Sequence, residues 1–393
     1  MKIAKISSRK ILDSRNAWTI ETTMTTKEGV VSLSSVPSGT STGSSEAKTV
    51  PAEQAVSFVE EMFLDIRGKD FKTLLDFDNH LLALDGTPDK SRFGANSILS
   101  LSIAFARAHA LTKKAPLYKY LNEVAYLSGN FKIPKIQALI FEGGKHSSGK
   151  MDIQEFSIVC DSISDAVSLY GKAKIRLEEA RLSTDVGLEG AFSPDSFDNK
   201  DALVFLSQLL SISPISHIPP AQNASRIEAG KLISLDIAQA NRKRLDLNYP
   251  QLLTDYPILS LEDPLGEEDW EGWTKLNAQI GNKVLIIGDD LTTTNPARIQ
   301  RAIDEKCIGG VIIKPNQIGT VSETLTAVSV AKSAGIKVVV SHRSGETNDD
   351  FIADLAVGVE ADFVKFGAPA RGERIAKYNR LLEIQGDLFL SLV

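Results

Sequence analysis

Eight short apolar runs, separated by amphipathic stretches, occupy the chain beyond about residue 130. The runs cover residues 138–141, 156–159, 232–235, 258–261, 284–287, 311–313, 338–340 and 363–364. Continuous apolar runs of this length are typical of parallel strands that are covered on both faces. Helices are indicated between them at 297–305, behind Asn295-Pro296, and at 320–334, which Gly335 ends. The alternation predicts an α/β fold, a (β/α)8-type barrel.

An ionisable residue follows closely after each of the last six runs. The six residues are Asp236, Glu262, Asp289, Lys314, His342 and Lys365, spaced 23 to 28 residues apart. One strand, one helix and two loops take about this many residues in a barrel of ~250 residues. The six side chains are therefore expected at the carboxyl-terminal face of the barrel, where active sites of this architecture lie. Strands also end in polar residues simply because they meet solvent there, which accounts for one or two of the positions.

Three carboxylates come first in this series. Asp236, Glu262 and Asp289 would repel one another in a shared cleft unless a cation lay among them. Oxygen ligands without cysteine or clustered histidine favour Mg2+ over Zn2+. Taken singly, each acid is better explained by helix capping or by a solvated side chain; the common spacing of the three favours a metal site.

Cationic side chains follow the acids. Lys314, at the mouth of a packed barrel, is a candidate base if its pKa is lowered there, although a lysine that only extends toward solvent is the alternative. Arg343 offers a planar fork for phosphate or carboxylate, and Ser344 allows close backbone approach. The same segment also suits a helix N-terminus. Lys365 adds a further positive charge.

Two further acids precede this set. Glu155 flanks an early strand and Glu189 lies in a loop bracketed by glycines. An acid facing a base across a bound substrate is what elimination of water requires, but spacing alone does not select these two acids. Loops 38–45 and 143–149 are rich in small residues and are candidate lids. The first lacks the pattern of an ATP-binding loop.

The first part of the chain has a different texture. Strands are predicted at 2–6 and 19–26, and helices at 52–63 and 95–111, the latter buried because it is apolar or small almost all round. Residues 127–130 have the composition of a linker. We therefore expect a capping α+β domain at residues 1–128 and the barrel at residues 129–393.

Composition limits the classes of function. The chain has 393 residues, a net charge of -6 and two cysteines, which exclude a disulfide framework and argue against a nucleic-acid partner. No apolar run reaches the ~18 residues of a membrane span. The N-terminus shows no apolar signal segment, so no membrane association and a cytoplasmic location are expected.

Nine segments resemble the enolase family. They are VPSGTSTGSSEA, GANSILSLSIA, GGKH with QEF beyond it, LSLEDPLGEEDW, GDDLTTTN, IKPNQIGT, SHRSGETNDDFIADLAVG and KFGAPARGERIAKYN. The resemblance spans nearly the whole chain, and SHRSGET and NQIGT are its most specific parts. It implies an N-terminal α+β domain on a (β/α)8-type barrel whose first strands are irregularly ordered. It also implies two Mg2+ ions in each active site and a homodimer or larger homo-oligomer.

The resemblance further implies roles for individual residues in converting 2-phospho-D-glycerate to phosphoenolpyruvate. Metal ligands would be Asp236, Glu262, Asp289 and, from the loop, Ser41. Lys314 would be the base, Glu189 the acid with Glu155 beside it, and His342 a catalytic histidine. Substrate contacts would come from His146, Glu155, Arg343, Ser344 and Lys365.

Departures from the family pattern lie close to these residues. The acid loop usually reads Asp-Glu-Gly-Gly, whereas here Leu188 precedes Glu189; Glu142 stands where asparagine usually precedes Gly-Gly. Asn16-Ala17-Trp18 replaces a usual Gly-Asn-Pro. An enolase-like paralogue acting on a related phosphono or phosphorylated hydroxy acid is therefore an alternative function, and a non-catalytic binding protein of the same fold is a second alternative.

Overall fold

A three-stranded antiparallel sheet and four helices form the first part of the chain. The computed structural model describes residues 1–39, 43–146, 149–212, 232–238 and 247–390. The strands are β1 Ile3–Leu12, β2 Trp18–Thr26 and β3 Val31–Ser35, and the helices are α1 Ala52–Ile66, α2 Leu74–Asp85, α3 Ala95–Thr112 and α4 Leu117–Val124. The predicted strands and helices are all present. The sequence prediction missed β3, α2 and α4.

The missed helix α2 has clear local signals. Thr73 accepts a hydrogen bond from the backbone N–H of Asp76, whose side chain accepts one from Thr73 N–H in return. Gly86 ends the helix in the left-handed conformation. The predicted burial of α3 is confirmed, and Ser34 Oγ and Ser32 Oγ donate to its backbone from β3. Small residues on α3 allow this close approach of sheet and helix.

Eight strands close into a barrel in the second part of the chain. They are β4 Lys135–Glu142, β5 Glu155–Cys160, β6 Ile233–Asp236, β7 Ile258–Glu262, β8 Leu285–Gly288, β9 Gly310–Ile313, β10 Lys337–Ser341 and β11 Phe363–Lys365. Their order around the barrel is β10-β11-β4-β5-β6-β7-β8-β9. All eight predicted runs lie on these strands, so the predicted barrel fold is confirmed. The division of the chain between residues 128 and 129 stays a prediction.

The strand β5 runs against its neighbours. It pairs antiparallel with both β4 and β6, whereas all other barrel pairs are parallel. The expectation of a parallel strand at 156–159 is therefore wrong. The physical reason lies in the connection at 143–154, whose described residues form a one-turn helix, Gly144–His146, where a parallel neighbour would need a full crossover, so the chain turns back. As a result Glu155, the first residue of β5, pairs with Asp236, the last residue of β6.

Helices cover the outside of the barrel. Two of them, α5 Ile163–Glu179 and α6 Asn199–Ile212, lie between β5 and β6. The others are α7 Tyr249–Asp255, α8 Trp270–Ile280, α9 Pro296–Asp304, α10 Pro315–Ile318, α11 Val321–Ser333, α12 Phe351–Gly358 and α13 Gly372–Leu390. Asn295 caps α9 and Thr320 caps α11 through side-chain bonds to backbone N–H groups, which confirms both predicted helix starts. Within the described residues, no helix has the length and apolar character of a membrane span.

The N-terminal part contacts the loops that follow the barrel strands. Ser38 and Gly345 form a β-bridge. Ala47 N–H donates to Gln317 O at 2.8 Å, and Arg107 forms ion pairs at 2.7 Å with Asp349. The carboxyl-terminal rim of the barrel is therefore enclosed by the first domain.

Candidate active site

A small cavity lies at this enclosed rim. Its lining is almost entirely polar: His146, Gln154, Glu155, Glu189, Asp236, Ala238, Asp289, Asp290, Lys314, Ser341, His342, Arg343, Ser344 and Lys365. The structure thus brings most of the predicted site residues to one place. The exceptions are Glu262, which lies beneath the lining, and Ser41, which lies outside the described residues.

Lys365 is surrounded by three acids. Its Nζ lies 3.0 Å from Asp236 Oδ2, 2.8 Å from both oxygens of Glu262 and 3.2 Å from Glu155 Oε2. Burial lowers the pKa of Lys365, but the acids outweigh it and hold that pKa well above its ordinary value. Burial and the neighbouring carboxylates raise the pKa values of Glu155 and Glu262 well above theirs, although Lys365 opposes the change. The ammonium of Lys365 thus compensates the negative charge of the three acids around it.

Lys314 is paired with Asp289. Its Nζ donates to Asp289 Oδ2 at 2.5 Å, and Gln317 Nε2 donates to the other carboxylate oxygen at 3.0 Å. Burial raises the pKa of Asp289, but Lys314 and Lys365 outweigh it and lower that pKa. Conversely, Asp289 outweighs burial and raises the pKa of Lys314. The partner carboxylate thus stabilises the ammonium, and the lowered pKa expected for Lys314 beside metal-bound charge stays a prediction.

Glu189 lies between two buried histidines. His342 Nε2 is 3.2 Å from Glu189 Oε2, and His146 Nδ1 is 3.7 Å from Glu189 Oε1. Burial lowers the pKa of His146 and lowers that of His342 to about 3. Arg374 Nη1 lies 2.9 Å from His342 Nδ1 and can only donate, which assigns the ring proton of a neutral His342 to Nε2, facing Glu189.

Glu189 carries the carboxyl group that lies between these histidines. Burial raises its pKa, but His342, His146 and Arg374 together hold that pKa well below its ordinary range. Glu189 is only 2% exposed, so the carboxylate is shielded from bulk solvent.

Arg343 is held by an acid of the N-terminal domain. Its Nη1 and Nη2 lie 3.1 Å from the two carboxylate oxygens of Glu46, and Nη1 also donates to Asn316 Oδ1 at 3.0 Å. Burial lowers the pKa of Arg343, but Glu46 outweighs it and raises that pKa. A fixed, charged guanidinium at the cavity wall beside Ser344 is suited to an anionic group.

The acids of the rim differ in how they can share a cation. Asp236 and Glu262 pair across β6 and β7, and both accept from Lys365; Asp289 accepts from Lys314. Two groups of described residues have ligand atoms within 4.8 Å of one another: His146, Glu155 and Glu189, and Asp263, Asp289 and Asp290. The second group offers only oxygen atoms, which fits a hard cation such as Mg2+. The predicted set of Asp236, Glu262 and Asp289 is not one of these groups of described residues, and each of the three acids contacts a lysine.

Several functional neighbours were missed by the sequence analysis. They are Glu46, Gln154, Asp263, Gln317 and Arg374, which orient Arg343, Asp236, Asp289 and His342. All five lie in segments that the sequence analysis had already singled out. They escaped because they sit beside or beyond the strand ends, in loops and helices whose folding brings them back to the rim.

Comparison with known proteins shows which protein family the chain is similar to. A family model described as "Enolase, C-terminal TIM barrel domain" matches residues 231–391, and one described as "Enolase, N-terminal domain" matches residues 3–121. A curated enolase of Elusimicrobium minutum is 39% identical over 98% of this chain and 96% of its own length. Curated enolases of Acidothermus cellulolyticus and Natranaerobius thermophilus are 40% and 39% identical over 98% of this chain and 94% and 96% of theirs.

The fold, the enclosed rim and these similarities together define a two-domain barrel enzyme of the carbon–oxygen lyase class. The chain belongs to the enolase family, whose members are phosphopyruvate hydratases. The family and the enzyme class expected from the sequence segments are thereby confirmed.

Proposed function

We propose that the protein dehydrates 2-phospho-D-glycerate to phosphoenolpyruvate in a reaction that depends on Mg2+. The observation that carries the proposal is the enclosed cavity in which a lysine, Lys314, and a buried acid, Glu189, face the same space. Elimination of water requires one group to remove a proton and another to protonate the leaving hydroxyl. The anionic substrate is matched by Arg343 and Lys365 in the same lining.

We propose Asp236, Glu262, Asp289 and Ser41 as the residues that hold two Mg2+ ions. When bound, the ions would supply positive charge to the multiply charged intermediate that forms when a proton leaves the carbon beside a carboxylate. The oxygen donors of the rim fit this cation. The chain's own residues carry out the remaining steps.

Lys314 removes the proton from C2 in this proposal. The amine of Lys314 must first be neutral, and its contact with Asp289 is what keeps it charged. When the Asp289 carboxylate is engaged elsewhere, that stabilisation of the ammonium is lost and the pKa of Lys314 falls. The C2–H bond then breaks with its electron pair left on carbon, and the proton passes to Lys314 Nζ.

Glu189 protonates the leaving C3 hydroxyl, with Glu155 beside it. The C3–O bond breaks, the C2–C3 double bond forms, and water leaves. His146 and His342 contact the substrate near this acid. Arg343 and Ser344 bind the phosphate, and Lys365 lies near the substrate carboxylate.

A related phosphono or phosphorylated hydroxy acid is the second candidate substrate, favoured by Leu188 and Glu142 beside Glu189. A non-catalytic binding role is the third candidate. We further propose a homodimer or larger homo-oligomer, which light scattering would test, and a cytoplasmic location.

The decisive experiment measures the ultraviolet absorbance of the enol product with Mg2+ and 2-phosphoglycerate. We expect Lys314→Ala to lose at least about 10²-fold in turnover, because it removes the base, while calorimetry still detects Mg2+ binding. Lys275→Ala, at an exposed position, serves as the control and should match the unaltered protein.

Three results would contradict the proposal. Normal turnover of Lys314→Ala would show that another group is the base. Faster turnover of an analogue in a substrate panel would favour the second candidate. Absence of both product and Mg2+ binding at high protein concentration would favour the non-catalytic role.

A further inference from the structure

Glu142, the last residue of β4, contacts the loop that carries Glu189. Its Oε2 accepts a hydrogen bond from Glu189 N–H at 3.0 Å, and its Oε1 accepts one from Ala191 N–H at 3.0 Å. The strand backbone continues this contact, because Glu142 N–H donates to Phe192 O at 3.1 Å. One buried side chain and the end of β4 therefore hold both amides that flank Gly190.

The loop backbone packs directly on this carboxyl group. Glu142 is fully buried. A Cβ atom on Gly187 would lie 2.5 Å from Glu142 Cδ, closer than carbon atoms approach without overlap. Gly190 adopts a φ of +84°, which favours glycine. The two glycines thus allow the loop to close around Glu142 and leave Glu189 facing the cavity.

The surroundings of Glu142 are electrostatically unfavourable for an ionised carboxyl group. Burial and the nearby charge of Glu189 raise the pKa of Glu142 to about 8, although the two backbone N–H groups and Arg374 oppose this. Among the described residues, the hydrogen-bond partners of its side chain all belong to the Glu189 loop. The role of this carboxyl group is therefore local to the loop.

We infer that Glu142 is a positioning residue that aligns the Glu189 carboxyl with the leaving hydroxyl by holding the two amides of its loop. This inference rests on the proposed dehydration and deepens it. Only a carboxyl group supplies two acceptor oxygens in one plane for two amide donors. A glutamine would face one of these amides with its own N–H2 group, and a methionine would leave both amides without an acceptor.

Two readouts separate the action of Glu142 from a general loss of structure. Exchange of the C2 hydrogen of 2-phosphoglycerate with deuterated solvent needs only the base, since the C2–H bond breaks and reforms. Dehydration needs in addition the C3–O bond to break with a proton from Glu189. We expect Glu142→Met to lower dehydration turnover by about 10²-fold or more while C2 exchange, followed by NMR, stays near that of the unaltered protein.

Two variants complete the comparison. Glu142→Gln, which keeps the volume and one acceptor, is expected to show a smaller loss of dehydration, again with exchange preserved; it carries the test if Glu142→Met does not fold. Asp185→Asn, at an exposed position near the same loop, should change neither readout.

The inference is overturned if both readouts fall in equal proportion in the Glu142 variants, because the effect is then not specific to the acid. It is also overturned if neither readout falls. If the unaltered protein shows neither dehydration nor exchange with Mg2+, the proposed function itself has failed, and the role of Glu142 in it fails as well.

Discussion

At the scale of single residues, three buried cations of the rim each contact an acid. Lys365 lies among three acids, Lys314 contacts Asp289, and Arg343 contacts Glu46. An unpaired charge in such a place is strongly unfavourable, so each lysine or arginine is held until an anion or a cation competes for its partner. Substrate and metal must therefore replace contacts that these side chains already make.

Gly39, which lies next to Arg343, allows a test at the scale of single residues. A Cβ atom on Gly39 would overlap the guanidinium of Arg343, which Glu46 and Asn316 hold in place. We expect Gly39→Ala to displace the guanidinium and to raise the KM for 2-phosphoglycerate by about 10-fold, as expected when a hydrogen bond to a charged group is lost. Steady-state kinetics would measure this.

Gly171→Ala is the matched control, because a Cβ atom there meets nothing within 4 Å. It should leave KM unchanged. Equal kinetics of the two variants would mean that the approach of Gly39 does not fix Arg343.

At the scale of elements, side chains of the N-terminal domain cap the start of helix α11. Asp78 Oδ2, on α2, accepts from Ser322 N–H at 2.9 Å, and Ser102 Oγ, on α3, accepts from Val321 N–H at 2.9 Å. The free N–H groups of a helix start attract an acceptor and favour negative charge. Side chains from two helices of the N-terminal domain thus cap a helix of the barrel, and this contact fixes the N-terminal domain against the barrel.

Asp78 makes the stability of the protein depend on pH. It is fully buried, and burial raises its pKa to about 6 although Ser102 and Ser322 oppose this. Since the folded pKa exceeds that of the unfolded chain, the folded state binds the proton more tightly, and this residue's contribution to stability is lost as pH rises from about 4 to 6. We expect Asp78→Asn to be more stable above pH 6, by up to about 3 kcal/mol.

Urea unfolding between pH 4 and pH 8 would measure this difference. The advantage of the variant should shrink toward pH 4, where the carboxyl of the unaltered protein is protonated. A difference that is independent of pH would show that the titration of Asp78 is not its cause.

For the whole molecule, buried ion pairs join the N-terminal domain to the barrel. Arg107, on α3, forms pairs at 2.7 Å with both Asp349 and Asp350 before α12, and also donates to Leu33 O at 2.6 Å. Burial raises the pKa of Asp349, but Arg107 outweighs it and lowers that pKa. The two domains are thus joined by a charge pair that is largely shielded from solvent.

Removal of this arginine is expected to destabilise the whole chain. Arg107→Met leaves Asp349 buried without its partner, and breaking such a pair costs about 3–5 kcal/mol. Urea unfolding would measure the loss. Lys275→Met, which breaks an exposed pair with Glu271, is the control and should show no measurable change. Equal effects of both variants would contradict the assignment.

Local patterns account for what the sequence predicted. Apolar runs located all eight barrel strands, and Asn295 and Thr320 marked helix starts, because a strand covered on both faces and a capped helix depend on neighbouring residues. The regular spacing of Asp236 and its successors at strand ends also follows from the repeat of strand and helix. The specific family segments supplied the individual roles, which spacing alone did not.

Tertiary structure decided what depends on contacts between distant residues. The reversed direction of β5 brings Glu155 to the rim, although a parallel strand would have placed it at the other end. The pairing of Glu46 with Arg343 and of Lys314 with Asp289 sets the charge of the cavity and raises the pKa of Lys314. Periodicity is a local property, whereas the electrostatic state of a buried group is the sum of its neighbours from every element, and only the folded chain defines those neighbours.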